Sequence, residues 1–121
     1  MPYIAANYEY YEGKKVGTGQ CVAYVQAAAN APSTGVWTEG IRVLGSAPGA
    51  ITRGTVIATF EAGHYANNAH GNHAAIYISH DEHGIVVYDQ WLGQPVHRRT
   101  IHDHGGHGSA SNDAGKFSVV E

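Results

Sequence analysis

A cysteine and a histidine in this sequence have surroundings suited to nucleophilic catalysis. Cys21 lies in Gly-Gln-Cys-Val-Ala-Tyr, at the expected start of a helix, whose partial positive charge would stabilise a thiolate. His73 lies in Gly-Asn-His-Ala-Ala-Ile-Tyr-Ile, directly before an apolar strand that would hold its imidazole in place. A positioned imidazole takes the thiol proton and later protonates a leaving amine. The pair therefore predicts acyl transfer, with a buried structural cysteine and a turn histidine as the alternatives.

A third polar group should hold the imidazole in one tautomer and stabilise its charged form. The next strand ends in Asp89 and Gln90, and strand parity decides which of the two faces His73. A five-residue hairpin loop over 80–84 selects Asp89, whereas a four-residue loop over 80–83 selects Gln90. We prefer Asp89, because a carboxylate stabilises an imidazolium better than an amide does. The alternative is an aspartate that only forms a turn.

Two helices are expected in the first half of the chain. Residues 20–29 are rich in good helix formers, with Thr18 or Gly19 as the cap and Asn30 and Pro32 as the stop. A shorter helix is expected over 36–44, capped by Ser33 or Thr34 and ended by Gly45.

Short runs of β-branched and aromatic residues follow, and they predict strands over 55–60, 74–79 and 85–88, with weaker candidates at 96–101 and 117–120. Helices first and strands afterwards favour an α+β fold, in which the first helix packs on an antiparallel sheet. We see no linker and no repeat, so residues 1–121 are expected to form one domain.

Composition excludes several classes of protein. Charged residues are only 14% of the 121, the net charge is −3, and no basic cluster suggests nucleic-acid binding. No apolar stretch approaches the roughly 20 residues of a membrane-spanning helix, so no membrane association is expected. A single cysteine rules out an intramolecular disulfide. The first residues lack the pattern of a secretory signal, which argues against Sec export.

Nine histidines raise the question of a metal site. His102, His104 and His107 are close in sequence, but they lie in a Gly-rich segment without a rigid helix to hold them. We therefore expect residues 102–115 to form a mobile, solvated loop, with no metal and no organic cofactor. Trp37, Trp91 and the tyrosines could line a groove for a sugar or a peptide, but burial in the core is the expected fate of both tryptophans.

Three segments together resemble the papain-like CHAP and NlpC/P60 cell-wall amidases, over about residues 17 to 101. Residues 19–24 resemble their nucleophile helix, 53–60 their first core strand and 72–78 their histidine strand. The order of cysteine, histidine and a later polar residue is also theirs. The resemblance implies a papain-like fold, with Cys21 as nucleophile, His73 as base and Asp89 as the third residue. Tyr8, Gln20 and the Cys21 amide are candidates for stabilising the oxyanion.

Within that superfamily the chain looks most like the small peptidoglycan amidase effectors of type VI secretion. This resemblance implies hydrolysis of an amide in cell-wall peptides, with a slight preference for the cross-link between D-alanine and diaminopimelate. It also implies delivery by the secretion apparatus into a rival's periplasm, and an immunity protein that covers the active-site cleft. The alternatives are a non-catalytic papain-like wall-binding module and a housekeeping cell-wall hydrolase.

Overall fold

A computed structural model describes all 121 residues. One α-helix, α1 (Cys21–Ala29), packs on a six-stranded antiparallel sheet. The strands are β1 (Glu39–Arg42), β2 (Val56–Thr59), β3 (Ala74–His80), β4 (Gly84–Trp91), β5 (Gln94–His102) and β6 (Phe117–Val120). Their order in the sheet is β1-β6-β2-β3-β4-β5. The predicted α+β class with an N-terminal helix on an antiparallel sheet is confirmed.

Both faces of the sheet are covered, which explains why β2 and β3 carry buried apolar side chains on both faces. On one face, Tyr24 and Val25 of α1 pack against side chains of β2, β3 and β4. On the other face, Val43, Ile51 and Ala114 pack against Ile57 and neighbouring residues. No helix in the structure has the length and apolarity needed to cross a bilayer.

The helix begins and ends differently from a standard capped helix. Its N-cap residue is Gln20, whose side chain makes no capping hydrogen bond, so the predicted caps Thr18 and Gly19 are wrong. The hydroxyl of Thr18 instead accepts a bond from the backbone N–H of Gln20, before the helix begins. At the other end, Asn30 adopts the left-handed conformation and stops the helix as predicted.

The helix expected over 36–44 is wrong. The segment contains a short 3-10 turn (Thr34–Val36) and then strand β1, which pairs with the last strand of the chain through Glu39 and Val120. This pairing has no local signal in the sequence, because the partner lies about 80 residues away. Tertiary hydrogen bonding therefore outweighs the local helix propensity.

The His-rich segment is more ordered than the predicted loop. Strand β5 extends to His102, and two short 3-10 turns follow, at Ala110–Asn112 and Ala114–Lys116. The buried carboxylate of Asp113 accepts hydrogen bonds from the backbone N–H groups of His104, Gly106 and Gly115. The structure has no group of three or more histidine, cysteine or acidic side chains that could hold a metal ion.

Candidate active site

Cys21 is the first residue of α1 and lines an open cleft of about 600 Å³. The first backbone N–H groups of an α-helix lack the i−4 partner that later groups have, and the side chain of the N-cap residue Gln20 makes no capping hydrogen bond. These groups and the helix dipole place partial positive charge beside the sulfur. The placement agrees with the sequence prediction, and it leaves donors free to bind a developing negative charge.

His73 directly precedes β3 and is held from both sides by Thr59. Its backbone N–H donates to the Thr59 hydroxyl and its carbonyl accepts from the Thr59 N–H, both at 3.0 Å. The residue is 5% exposed. These two bonds fix His73 at the beginning of the central strand β3, next to the start of α1.

The structure brings Asp89, and not Gln90, to the imidazole. The distance from His73 Nε2 to Asp89 Oδ2 is 2.7 Å, and Asp89 is fully buried. Gln90 points to the opposite face, where its amide accepts from the N–H of Val16 and donates to the carbonyls of Val16 and Gln20. Gln90 thus ties the segment before α1 to the sheet.

The pairing of β3 with β4 that turns Asp89 toward His73 differs from the pairing that either predicted hairpin loop would give. His80 pairs with Ile85, so the hairpin loop is 81–84. A bulge between Tyr77 and Ser79 then shifts the pairing by one residue, and Tyr77 lies opposite Val87. Beyond the bulge the register is that of the five-residue alternative, which turns Asp89 toward the face of His73.

Electrostatics couple the three side chains. Burial opposes ionisation of Cys21, but hydrogen bonding and charge from His73, with a bond from the Ala74 N–H, hold the pKa of the thiol below its usual value. Burial would lower the pKa of His73, yet its bonds to Asp89 and Cys21 raise it to about 9. The arrangement favours a thiolate beside an imidazolium, which is the reactive form of a Cys–His pair.

Asp89 has more partners than the sequence indicated. Burial raises its pKa, but the bonds from His73 and Arg99 outweigh that effect and hold the pKa below its usual value. Arg99 contacts Oδ2 through Nε at 2.9 Å and Nη2 at 2.8 Å, and His97 Nε2 lies 3.1 Å from Oδ1. Strand alternation offered a signal for these residues, since His97 and Arg99 occupy one face of β5 and His97 pairs with Asp89.

Two aromatic residues, Tyr65 and Trp91, line the cleft. The hydroxyl of Tyr65 lies 3.8 Å from Cys21 Sγ and accepts a bond from the Asn72 amide. Burial and the nearby thiolate raise the pKa of Tyr65, which keeps its hydroxyl protonated. Trp91 is 40% exposed and lines the cleft, so its predicted burial is wrong, whereas Trp37 is buried as expected.

The structure distinguishes among the three candidates for stabilising the oxyanion. Gln20 and Cys21 line the cleft. Tyr8 is buried in the core, where its ring packs on Tyr88 and its carbonyl accepts from the Tyr24 hydroxyl, so its candidacy was wrong. The tyrosine near the sulfur is Tyr65 and not Tyr8, and no sequence pattern connects residue 65 with Cys21.

Comparison with known proteins identifies the family of the chain. Residues 3–120 match the family model described as domesticated amidase effector 2. The chain belongs to this family. It is 35% identical, over the whole of both chains, to the type VI secretion amidase effector 2 protein of Salmonella typhi. It is 36% identical to domesticated amidase effector 2 of Ixodes scapularis, over 84% of this chain and 70% of the relative.

A solved structure has the same fold as this chain. The type 6 secretion amidase effector 2 (Tae2) superposes with a TM-score of 0.84 at 36% identity, covering 98% of this chain and 94% of that one. The predicted resemblance to the small amidase effectors is therefore confirmed. The expected papain-like fold and amidase class are confirmed with it.

Proposed function

We propose that this chain hydrolyses an amide bond in the peptides of peptidoglycan, as an antibacterial effector of type VI secretion acting through one domain over residues 1–121. Its membership of an amidase effector family supports the activity. The observation that carries the mechanism is the chain of contacts from Cys21 and His73, which line an open cleft, to the buried Asp89.

In the proposed mechanism, the Cys21 thiolate attacks the carbonyl carbon of the scissile amide and forms a tetrahedral intermediate. The C–N bond then breaks as the His73 imidazolium gives its proton to the departing amine. A water molecule, losing a proton to His73, attacks the resulting thioester and releases a carboxylic acid and the free cysteine. Asp89 stays ionised and stabilises the imidazolium in both halves of the cycle.

The oxyanion of the tetrahedral intermediate would be stabilised by donors at the start of α1. The backbone N–H of Cys21 lies at an uncapped helix terminus, and Gln20 lines the same cleft. The Tyr65 hydroxyl, 3.8 Å from the sulfur, is a further donor. Together these groups supply the preorganised positive charge that acyl transfer needs.

The lining of the cleft suits an anionic peptide. Its residues include no aspartate or glutamate, and Arg99 is the only lysine or arginine among them. Amide side chains from Asn67, Asn68 and Asn72 form one wall, and they suit the amide groups and carboxylates of stem peptides. We further propose the cross-link between D-alanine and diaminopimelate as the bond that is cut.

The proposal includes two partners and a site of action. We infer delivery by the type VI secretion apparatus into the periplasm of a target bacterium, and an immunity protein in the producer that covers the cleft. Trp91 and Leu92, 40% and 65% exposed, form an apolar rim on which such a protein would pack.

The test is digestion of a purified cross-linked muropeptide dimer, followed by liquid chromatography and mass spectrometry. Conversion of the dimer into two monomers supports cleavage of the cross-link, whereas loss of part of a stem peptide from an intact dimer indicates a different bond. The Cys21→Ala variant is the control for hydrolysis. If neither protein changes the dimer, the proposed substrate is wrong, and a non-catalytic wall-binding module becomes the better account.

A further inference from the structure

Arg99 is fixed by several neighbours at the edge of the catalytic cleft. Two of its nitrogens contact Asp89 Oδ2, the same oxygen that His73 Nε2 contacts at 2.7 Å. Its Nη1 donates to the side-chain carbonyl of Asn112 at 3.1 Å. The guanidinium also lies 4.8 Å from the centre of the Trp91 ring. These contacts hold the Arg99 guanidinium in one place beside the Asp89 carboxylate.

We propose that Arg99 is a positioning residue that acts through Asp89 to set the pH range in which Cys21 and His73 form their reactive ion pair. This inference rests on the proposed catalytic role of that pair. It assigns to Arg99 a role in which the guanidinium touches neither the nucleophile nor the base.

The charges around Asp89 support this role. The titratable or charged groups that face it are His73 before β3, His97 and Arg99 on β5, and Tyr24 on α1. Of these, only Arg99 carries a positive charge at every accessible pH. Without Arg99, the buried negative charge of Asp89 would be balanced mainly by the imidazolium.

A fixed positive charge lowers the pKa of every acid near it. The positive charge of Arg99 favours the ionised form of Asp89, which it contacts, and, through space, the ionised form of Cys21. The other ionisable groups beside the Cys21 sulfur are His73 and Tyr65. The charge of Arg99 also limits how tightly the imidazolium of His73 holds its proton. That limit is useful, because His73 must give the proton to the leaving amine.

The geometry adds an orienting effect to the charge. The planar guanidinium approaches Oδ2 with two nitrogens and has a third held by Asn112, which leaves the carboxylate little freedom to rotate away from His73. A lysine would keep the charge but lose this forked contact. Charge and orientation can therefore be separated by substitution.

The single cysteine of the chain makes the test direct. The rate of alkylation of Cys21 by iodoacetamide is measured from pH 4 to 10 by intact-protein mass spectrometry, for the parent, Arg99→Gln and Arg99→Lys. In Arg99→Gln we expect both ionisations of the Cys21–His73 pair to move to higher pH, by about 0.5 to 1 pH unit. In Arg99→Lys the profile stays in place, while amidase turnover falls about tenfold because the fork is lost.

The matched control is Arg98→Gln, which removes the same charge from the neighbouring, solvent-exposed residue of β5. Its profile should coincide with that of the parent. The proposal is overturned if the profile of Arg99→Gln does not move, or if Arg98→Gln moves it equally. Should Arg99→Gln fail to fold, displacement of the Arg99→Lys profile by more than about 0.5 pH unit overturns the proposal as well. Alkylation needs no peptidoglycan, so this result is independent of whether the substrate is assigned correctly.

Discussion

Replacement of Asp89 by asparagine should abolish most of the activity while keeping the shape of the side chain. The fully buried carboxylate contacts His73 Nε2 at 2.7 Å and Arg99 at 2.8 and 2.9 Å. An amide can offer only one acceptor oxygen to these donors, and it carries no charge to stabilise the imidazolium. We therefore expect kcat/KM to fall by about 10³ to 10⁴, equivalent to roughly 4 to 5.5 kcal/mol of barrier.

The same substitution should also lower stability. Removal of one partner from a buried ion pair costs about 3 to 5 kcal/mol, and partial hydration of Arg99 reduces this to about 2 to 3 kcal/mol. For a chain of 121 residues the melting temperature should fall by about 6 to 12 °C. Thermal unfolding followed by circular dichroism measures this loss, and muropeptide release below the transition measures turnover of folded protein.

A buried aspartate outside the site supplies the control. Asp113 is equally enclosed and accepts bonds from three backbone N–H groups, so Asp113→Asn should destabilise the chain but leave turnover of the folded protein close to that of the parent. The reasoning is refuted if folded Asp89→Asn retains activity within about threefold of the parent. It is also refuted if Asp113→Asn loses as much activity as Asp89→Asn does.

Three further predictions concern neighbouring groups. Gln90→Ala should lower the free energy of unfolding by about 2 to 3 kcal/mol in urea denaturation, because it removes three hydrogen bonds to the partly buried backbone groups of Val16 and Gln20; an unchanged midpoint would contradict this. Tyr65→Phe should lower kcat/KM about tenfold with little change in melting temperature, and full activity would exclude the hydroxyl from catalysis. His73 should make stability depend on pH: because its pKa is raised to about 9 by Asp89 and Cys21 against the opposing effect of burial, its contribution is complete below about pH 6.5 and is lost as the pH rises toward 9. Cys21→Ser removes the thiolate but keeps the bond from His73 to Asp89, so its unfolding free energy should still fall between pH 6 and pH 9, and this fall should be absent when His73→Gln is added. An equal fall in both proteins would contradict the prediction.

Local patterns were sufficient to predict the elements that position the site. Helix α1 and the strands around His73 have strong propensities and clear stop signals, and the structure confirms them. The edge strand β1 was missed because its partner β6 lies at the other end of the chain, and no local pattern encodes that pairing. Short apolar segments take the structure that their tertiary partners require.

The position of Asp89 beside His73 depends on a β-bulge in the neighbouring strand β3. Parity narrowed the choice to Asp89 or Gln90, and the chemistry of an imidazolium favoured the carboxylate. The bulge at Tyr77 and Ser79, which offsets the loop length, was not foreseeable from residue types. Strand alternation offered a signal for Arg99, but its contact with Asp89 also depends on the register between β4 and β5. Tyr65 was missed because no pattern connects its loop with Cys21.

If Cys21 is the nucleophile, its replacement by serine should stop hydrolysis, and we would compare the parent and Cys21→Ser on purified peptidoglycan sacculi. Soluble muropeptides are quantified over time by liquid chromatography, after circular dichroism has established that both proteins are folded. We expect the parent to release fragments and Cys21→Ser to do so at least about 10³-fold more slowly, because a serine hydroxyl beside His73 is far less ionised than a thiol. Release by folded Cys21→Ser within about tenfold of the parent would contradict it.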